Sequence, residues 1–183
     1  MTGYKRVGKY LGGNNQKAYL NTNPNSLDFG YVEKELEPEF HGDSPHKHWK
    51  GERRADAAVE APKVFPDLFP ETEKIGPGKI RMKYVKGGIT FGDALKNSDF
   101  PTLYNILRKL KIVHDKGYIH GDVNEENIQH GPVLSVDTET FGRGNRFHDL
   151  KKAMDIVYKK GRGKIADYFN KVIVGLYGEP VLE

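Results

Sequence analysis

The chain has 183 residues, 37% of them hydrophobic and 30% charged, with a mean hydropathy of −0.69. That is enough chain for one compact unit or two small lobes sharing a core, and its balance is that of a wet-surfaced globular protein rather than a disordered one. The net charge of +4 is modest and the charges are mixed along the chain. This suits attraction to small anions and argues against a nucleic-acid footprint. There are no cysteines, which excludes disulfides, thiolate zinc sites and a cysteine nucleophile. No stretch has the length of a membrane helix, and the N-terminus lacks an apolar signal core, so no membrane span and no Sec-type signal are expected.

Residues 1–36 read as a small antiparallel sheet. Tyr4–Leu11 is a first strand leading into the turn Leu11-Gly12-Gly13-Asn14-Asn15. Ala18-Tyr19-Leu20 and Phe29–Leu36 follow as strands around the polar turn Asn21–Asp28. Residues 37–51 are a polar loop whose His46-Lys47-His48 cluster has no further ligand nearby, so a surface loop is expected there and not a metal site. Trp49–Glu60 has helical spacing at Trp49, Ala55, Ala58 and Val59, with Arg53 and Arg54 expected outside and Pro62 expected to end or bend the helix. Lys79–Gly88 is an apolar strand broken by Gly87-Gly88, followed by the short capped helix Thr90–Leu95. Pro101–Lys116 is a helix with Leu103, Ile106, Leu107, Leu110 and Val113 on one face, capped by Ser98 or Asp99 and closed by Gly117.

The stretch Ile119–Gly142 organises the rest. It reads I-H-G-D-V-N-E-E-N-I-Q-H-G-P-V-L-S-V-D-T-E-T-F-G. Asp122 and Asn127 lie at the two ends of one short loop. Ile128–His130 and Val133–Val136 read as a hairpin that returns Asp137 beside Asn127. A carboxylate to orient an attacking hydroxyl, with an Asn and an Asp to hold magnesium against phosphates, is the residue set phosphoryl transfer requires. Two further amphipathic helices follow, one over Phe147–Tyr158 and one around Ile165, Tyr168, Phe169, Val172 and Leu176, separated by Gly161-Arg162-Gly163.

H-G-D-V-N-E-E-N-I resembles the catalytic loop of the protein kinase superfamily, with Gly121 where most protein kinases have Arg. V-D-T-E resembles its metal-binding strand end, and the helix running into H-G-D resembles the helix before that loop. The resemblance implies an α+β, minimal bilobal kinase-like fold: an N-lobe over 1–82 with one helix, a hinge over 83–88 and a reduced helical C-lobe over 89–183. It implies ATP and Mg²⁺ as cofactors. Asp122 is then the catalytic carboxylate, Asn127 and Asp137 are the metal ligands, and Lys34 of Tyr31-Val32-Glu33-Lys34 is the nucleotide lysine. Gly12 and Gly13 lie over the phosphates, although the full three-glycine pattern is missing. Glu60 pairs with Lys34, with Glu52 as second choice. Met82 guards the back of the adenine pocket, and the backbones of Lys83 and Val85 bond its edge. His120 is a packed structural residue, and Asp149 or Asp155 anchors the loop from below.

With residues 138–183 after Asp137, neither a long activation segment nor the helical subdomain on which most protein kinases dock peptides is expected. With Gly121, this implies activity independent of activation-loop phosphorylation. The short form resembles bacterial effector kinases of the OspG and HopBF types, delivered into host cells. The partners so implied are a host protein substrate, the ninety-kilodalton heat-shock chaperone first, or ubiquitin-conjugating machinery, with the chain a monomer and a Ser/Thr acceptor. His-Gly-Asp and Asp-x-Glu also resemble small-molecule phosphotransferases of the aminoglycoside type, and a kinase working with tRNA-modification machinery or a non-catalytic binding module remain alternatives.

Overall fold

A computed structural model of the protein describes residues 8–12, 16–22, 30–38, 44–160 and 163–178. Alternation sets the sheet. In β3 (Tyr31–Leu36) Val32, Lys34 and Leu36 turn inward, while Glu33 and Glu35 face out. The outward pair meets Arg81 and Lys79 on the next strand, each at 3.4 Å. The neighbours are β1 (Gly8–Gly12), β2 (Gln16–Asn21), β4 (Thr72–Gly76) and β5 (Lys79–Lys83), in the order β1-β2-β3-β5-β4, every pair antiparallel. The sequence reading placed no strand at β4. The strand sits at the sheet edge with only Thr72 buried, so it carries no alternating apolar signal.

Helix α1 (Gly51–Val64) lies on this sheet through small residues: Ala55 and Ala58 pack on Leu36 and Ile80. One expectation fails here. Arg54 is inside, only 1% exposed, with Nη1 donating to the Glu37 carbonyl at 3.0 Å. Pro62 lies in the last turn of the helix, which ends at Val64, shortly after Glu60 as expected. Proline removes one N–H, but the Phe65 N–H donates to the Ala61 carbonyl at 2.9 Å and closes the last turn. Phe65 is itself drawn inward, edge-on to Phe69, Tyr118 and Phe141.

Residues 84–88 connect the sheet to the second half without regular structure. There β6 (Ile89–Thr90) leads into α2 (Phe91–Lys96), capped by Thr90, and α3 (Phe100–Asp115), capped by Asp99. Asp99 Oδ1 accepts from the Thr102 N–H at 3.1 Å. Then come β7 (Tyr118–Ile119), β8 (Gln129–His130), β9 (Gly142–Arg143), α4 (Phe147–Lys160) and α5 (Gly163–Tyr177). Strand β6 pairs with β8, and β7 with β9. The apolar faces of α2 to α5 meet in one core that includes Leu103, Leu107, Leu110, Val157 and Phe169. Each fully buried side chain of that size contributes about 1.5–3 kcal/mol against exposure.

Candidate active site

The cleft between the two halves has a volume of ≈ 1080 Å³. Its sheet side is an apolar patch of Ala18, Val32 and Met82, against which Leu20 and Val136 pack. Val32 and Met82 are register partners across β3 and β5, so the patch follows directly from sheet pairing. Met82 lines the cleft. Ala18, Val32 and Val136 were not singled out, though each lies on the inward parity of its strand or hairpin arm.

The connector supplies the cleft's edge. Lys83, Tyr84 and Val85 line it. The Lys83 N–H does not serve there: it donates to the Glu71 carbonyl at 2.9 Å, because pairing along β4 continues to that residue. The Val85 backbone makes no hydrogen bond among the described residues and remains open. The glycines hold the connector against the β8 turn. A Cβ on Gly131 would come within 2.8 Å of the Gly87 carbonyl, and Lys109 Nζ donates to the Gly131 carbonyl at 2.8 Å. Gly12 ends β1, next to a register shift against β2; Gly13 and the rest of the turn lie outside the described residues.

The polar floor comes from the loop after β7 and the arm after β8. Asn124 Oδ1 accepts from the N–H groups of Glu126 and Asn127 at 3.0 and 2.8 Å, which folds 122–127 into a tight turn. Asn127 Nδ2 then donates to Asp122 Oδ2 at 2.8 Å and to the Asp122 carbonyl at 3.3 Å. This assigns the amide: its nitrogen faces the carboxylate, and its oxygen accepts no hydrogen bond from any described residue. Burial, with Asp137 adding negative charge, pushes the Asp122 carboxyl above its usual range, against His120 and its two Asn hydrogen bonds. Gln129 N–H donates to the Leu134 carbonyl at 2.8 Å, and Ile128 bridges Ser135, so the hairpin forms and returns Asp137 to the cleft that Asp122 and Asn127 line.

Lys34 reaches this arm across the cleft. Its Nζ donates to Val136 O at 3.0 Å, to Glu139 Oε1 at 3.0 Å and to Asp137 Oδ1 at 3.3 Å. Burial alone would lower the Lys34 ammonium, but the two carboxylates raise it. Burial would raise Asp137, but the Lys34 charge and the hydrogen bonds from Glu139 and Lys34 hold it well below the usual carboxylate range. Glu139 goes the other way: burial, and the negative charge of Asp137 beside it, push its carboxyl up to about 8.

Glu60 does not pair with Lys34, contrary to the sequence expectation. It lies on the far part of α1, where Tyr118 Oη donates to its Oε1 at 3.4 Å. Glu52 bonds Lys74 and the Gly78 N–H. The helix turns its carboxylates away from the cleft because its inward face is the alanine row that packs on the sheet. Glu139 was missed as the lysine's partner; its one sequence signal was the Asp-x-Glu spacing.

Below the loop, Asp149 on α4 is fully buried. Its Oδ2 accepts from the His120 N–H at 2.7 Å and from His114 Nε2 at 3.0 Å, and its Oδ1 from the Gly121 N–H at 3.0 Å. Burial would raise this carboxyl, but the hydrogen bonds from His114 and from the His120 N–H hold it below its usual range. His114 Nδ1 then accepts from Tyr177 Oη at 2.8 Å, tying α5 into the same chain. His120 is fully buried, as expected of a packed residue, and its Nδ1 accepts from the Asp122 N–H at 3.3 Å. Gly121 has φ +84°, and a Cβ there would overlap the Thr140 carbonyl. No larger residue fits at this position, which the sequence reading noted as Gly in place of the Arg of most protein kinases.

Among the described residues no three His, Cys, Asp or Glu side chains form a metal-holding group. The uncommitted Asn127 oxygen and the ionised Asp137 fit a hard cation that keeps oxygen ligands from a bound phosphate group, as Mg²⁺ does.

No family model matches the chain, and no curated protein matches it. Among solved structures it is similar to a Rio2 kinase from Chaetomium thermophilum in an ADP/Mg²⁺-phosphoaspartate complex, with a TM-score of 0.58 and 12% identity. The match covers 93% of this chain and 65% of that one. At that identity the likeness establishes a kinase-like α+β fold.

Proposed function

We propose that this kinase-like protein transfers the γ-phosphoryl group of Mg-ATP to an alcohol, with a Ser or Thr hydroxyl of a protein as acceptor. One observation carries the reading: Lys34 from β3, Asp122 and Asn127 from the loop after β7, and Asp137 from the hairpin arm all line one cleft beneath an apolar patch. Ala18, Val32 and Met82 take the adenine, and the open Val85 backbone bonds its edge. Lys34 neutralises phosphate charge, and Asn127 and Asp137 would hold Mg²⁺, which when bound would neutralise further phosphate charge and so ease the approach of the attacking oxygen. Asp122, steadied by Asn127, orients the acceptor hydroxyl and takes its proton. The contribution is positioning and charge neutralisation, with no covalent intermediate on the protein.

A macromolecular acceptor is supported by the short segment 138–146, which is all that separates Asp137 from α4. Gly121 supports activity without phosphorylation of this segment, since the Arg that would receive the phosphate has no space. The bacterial-effector setting and a host chaperone as acceptor rest on the sequence resemblance to the short HopBF-type kinases.

The test is transfer from radiolabelled ATP by wild type and Asp137→Ala, with Mg²⁺, in a eukaryotic cell lysate. One labelled protein band that is lost in the variant is expected. ATP bound in calorimetry without any labelled protein would overturn the protein acceptor and leave a small-molecule alcohol. No ATP binding would overturn the phosphotransferase reading itself.

A further inference from the structure

We infer that Glu139 is the residue that positions Lys34, doing from the metal-ligand segment what the helix of the sheet half was expected to do through Glu60. The inference rests on the phosphotransferase reading above and assigns a role to a residue outside it. The two side chains are 6% and 5% exposed, so the ammonium needs a partner that is buried with it. Glu139 supplies one at 3.0 Å. No carboxylate of α1 does: Glu52 and Asp56 both pair with Lys74, and Glu60 meets Tyr118.

Glu139 is itself held firmly. The Phe141 N–H donates to the Thr138 carbonyl at 3.1 Å, and Thr140 Oγ1 donates to the His120 carbonyl at 3.0 Å. Phe141 is buried and stacks on Tyr118 with ring centroids 4.9 Å apart. The turn bearing Glu139 is therefore stapled to the helical core and to the catalytic loop. Lys34 takes its place from the same short segment that carries Asp137, and a tilt of α1 leaves it there. A carboxylate on a mobile helix lets that helix gate the lysine; this arrangement removes the gate.

The experiment compares Glu139→Ala, Glu139→Gln and Glu60→Ala by steady-state kinetics, Mg-ADP affinity and the rate at which a lysine-reactive acyl-phosphate analogue of ATP labels Lys34, read by mass spectrometry. Loss of one charge-assisted hydrogen bond predicts a KM for ATP raised roughly 10–100-fold in Glu139→Ala, with kcat changed much less and Lys34 labelling slowed in parallel. Glu139→Gln keeps an acceptor for Lys34 and stays within about threefold of wild type, and Glu60→Ala is unchanged in all three readouts. Should Glu139→Ala be insoluble, Glu139→Asp, one methylene too short, is expected to show the same rise in KM. Unchanged KM and labelling in Glu139→Ala or Glu139→Asp overturn the inference, as does a Gln variant as impaired as Ala, or a Glu60→Ala variant that loses nucleotide affinity. Wild type that binds Mg-ADP while these variants behave like it defeats this inference alone. Wild type that neither transfers phosphate nor binds Mg-ADP defeats the phosphotransferase reading and this inference with it.

Discussion

Asp149→Asn tests how the loop that carries Asp122 is held. The substitution keeps shape and leaves no cavity, so its effect reports hydrogen bonding. The native carboxylate is fully buried and accepts three times: from the N–H groups of His120 and Gly121 and from His114 Nε2. An amide has one oxygen. Turned toward His120 and His114, it meets the Gly121 N–H with its own NH₂ group, donor against donor. One buried backbone donor is orphaned and two charge-assisted bonds become neutral, which together cost about 2–4 kcal/mol. For a chain of this size 1 kcal/mol moves Tm by about 2–4 °C, so a fall of roughly 5–15 °C is expected by calorimetry at pH 7. The pH dependence has a definite sign. A carboxyl whose folded pKa lies below its unfolded value stabilises the fold fully above the unfolded value of about 3.9, and loses that contribution as pH falls through the folded one. The gap between wild type and variant therefore holds from pH 8 to 5 and narrows below about pH 4. Activity should fall with it, because the same bonds fix the backbone that leads into Asp122. A Tm within a degree of wild type at pH 7, or a gap that widens in acid, would refute the reasoning.

Three further outcomes follow from the geometry. Gly121→Ala forces a Cβ toward the Thr140 carbonyl at a positive φ; strain of about 1–3 kcal/mol and a displaced Asp122 predict at least a tenfold loss in kcat with nucleotide affinity kept, measured by kinetics beside ADP titration. Phe141→Ala empties the centre of the aromatic cluster with Phe65, Phe69 and Tyr118, and a loss of about 3–5 kcal/mol is expected in urea unfolding; a loss under 1 kcal/mol would show that the cluster does not hold the segment. Chelation of divalent cations should abolish transfer while leaving Tm of the nucleotide-free protein unchanged, since no group of side chains among the described residues holds a structural metal.

The local chemistry of the site was legible in the amino-acid order. Asp122 and Asn127 are joined by a loop whose turn is closed by its own Asn124, and a hairpin places Asp137, so near neighbours alone determine their convergence. The α3 helix, its Asp99 cap and its buried leucine row are likewise short-range features. Elements with no apolar period, such as β4, left no signal. Arg54 was placed outside because a charge is normally solvated; the Glu37 carbonyl, supplied by a neighbouring segment, makes its burial tolerable.

What only the tertiary structure decided is the choice of partners. On the linear chain Glu60 came first and Glu52 second as mates for Lys34, Glu139 was not considered, and Asp149 and Asp155 were both open as anchors on one helix. Packing brings Glu139 to the lysine and turns Asp149 toward the loop backbone. The physical reason is that periodicity and spacing reach a turn or two along the chain, whereas a buried charge must be compensated by whatever the fold sets within about 3 Å of it, however distant in sequence.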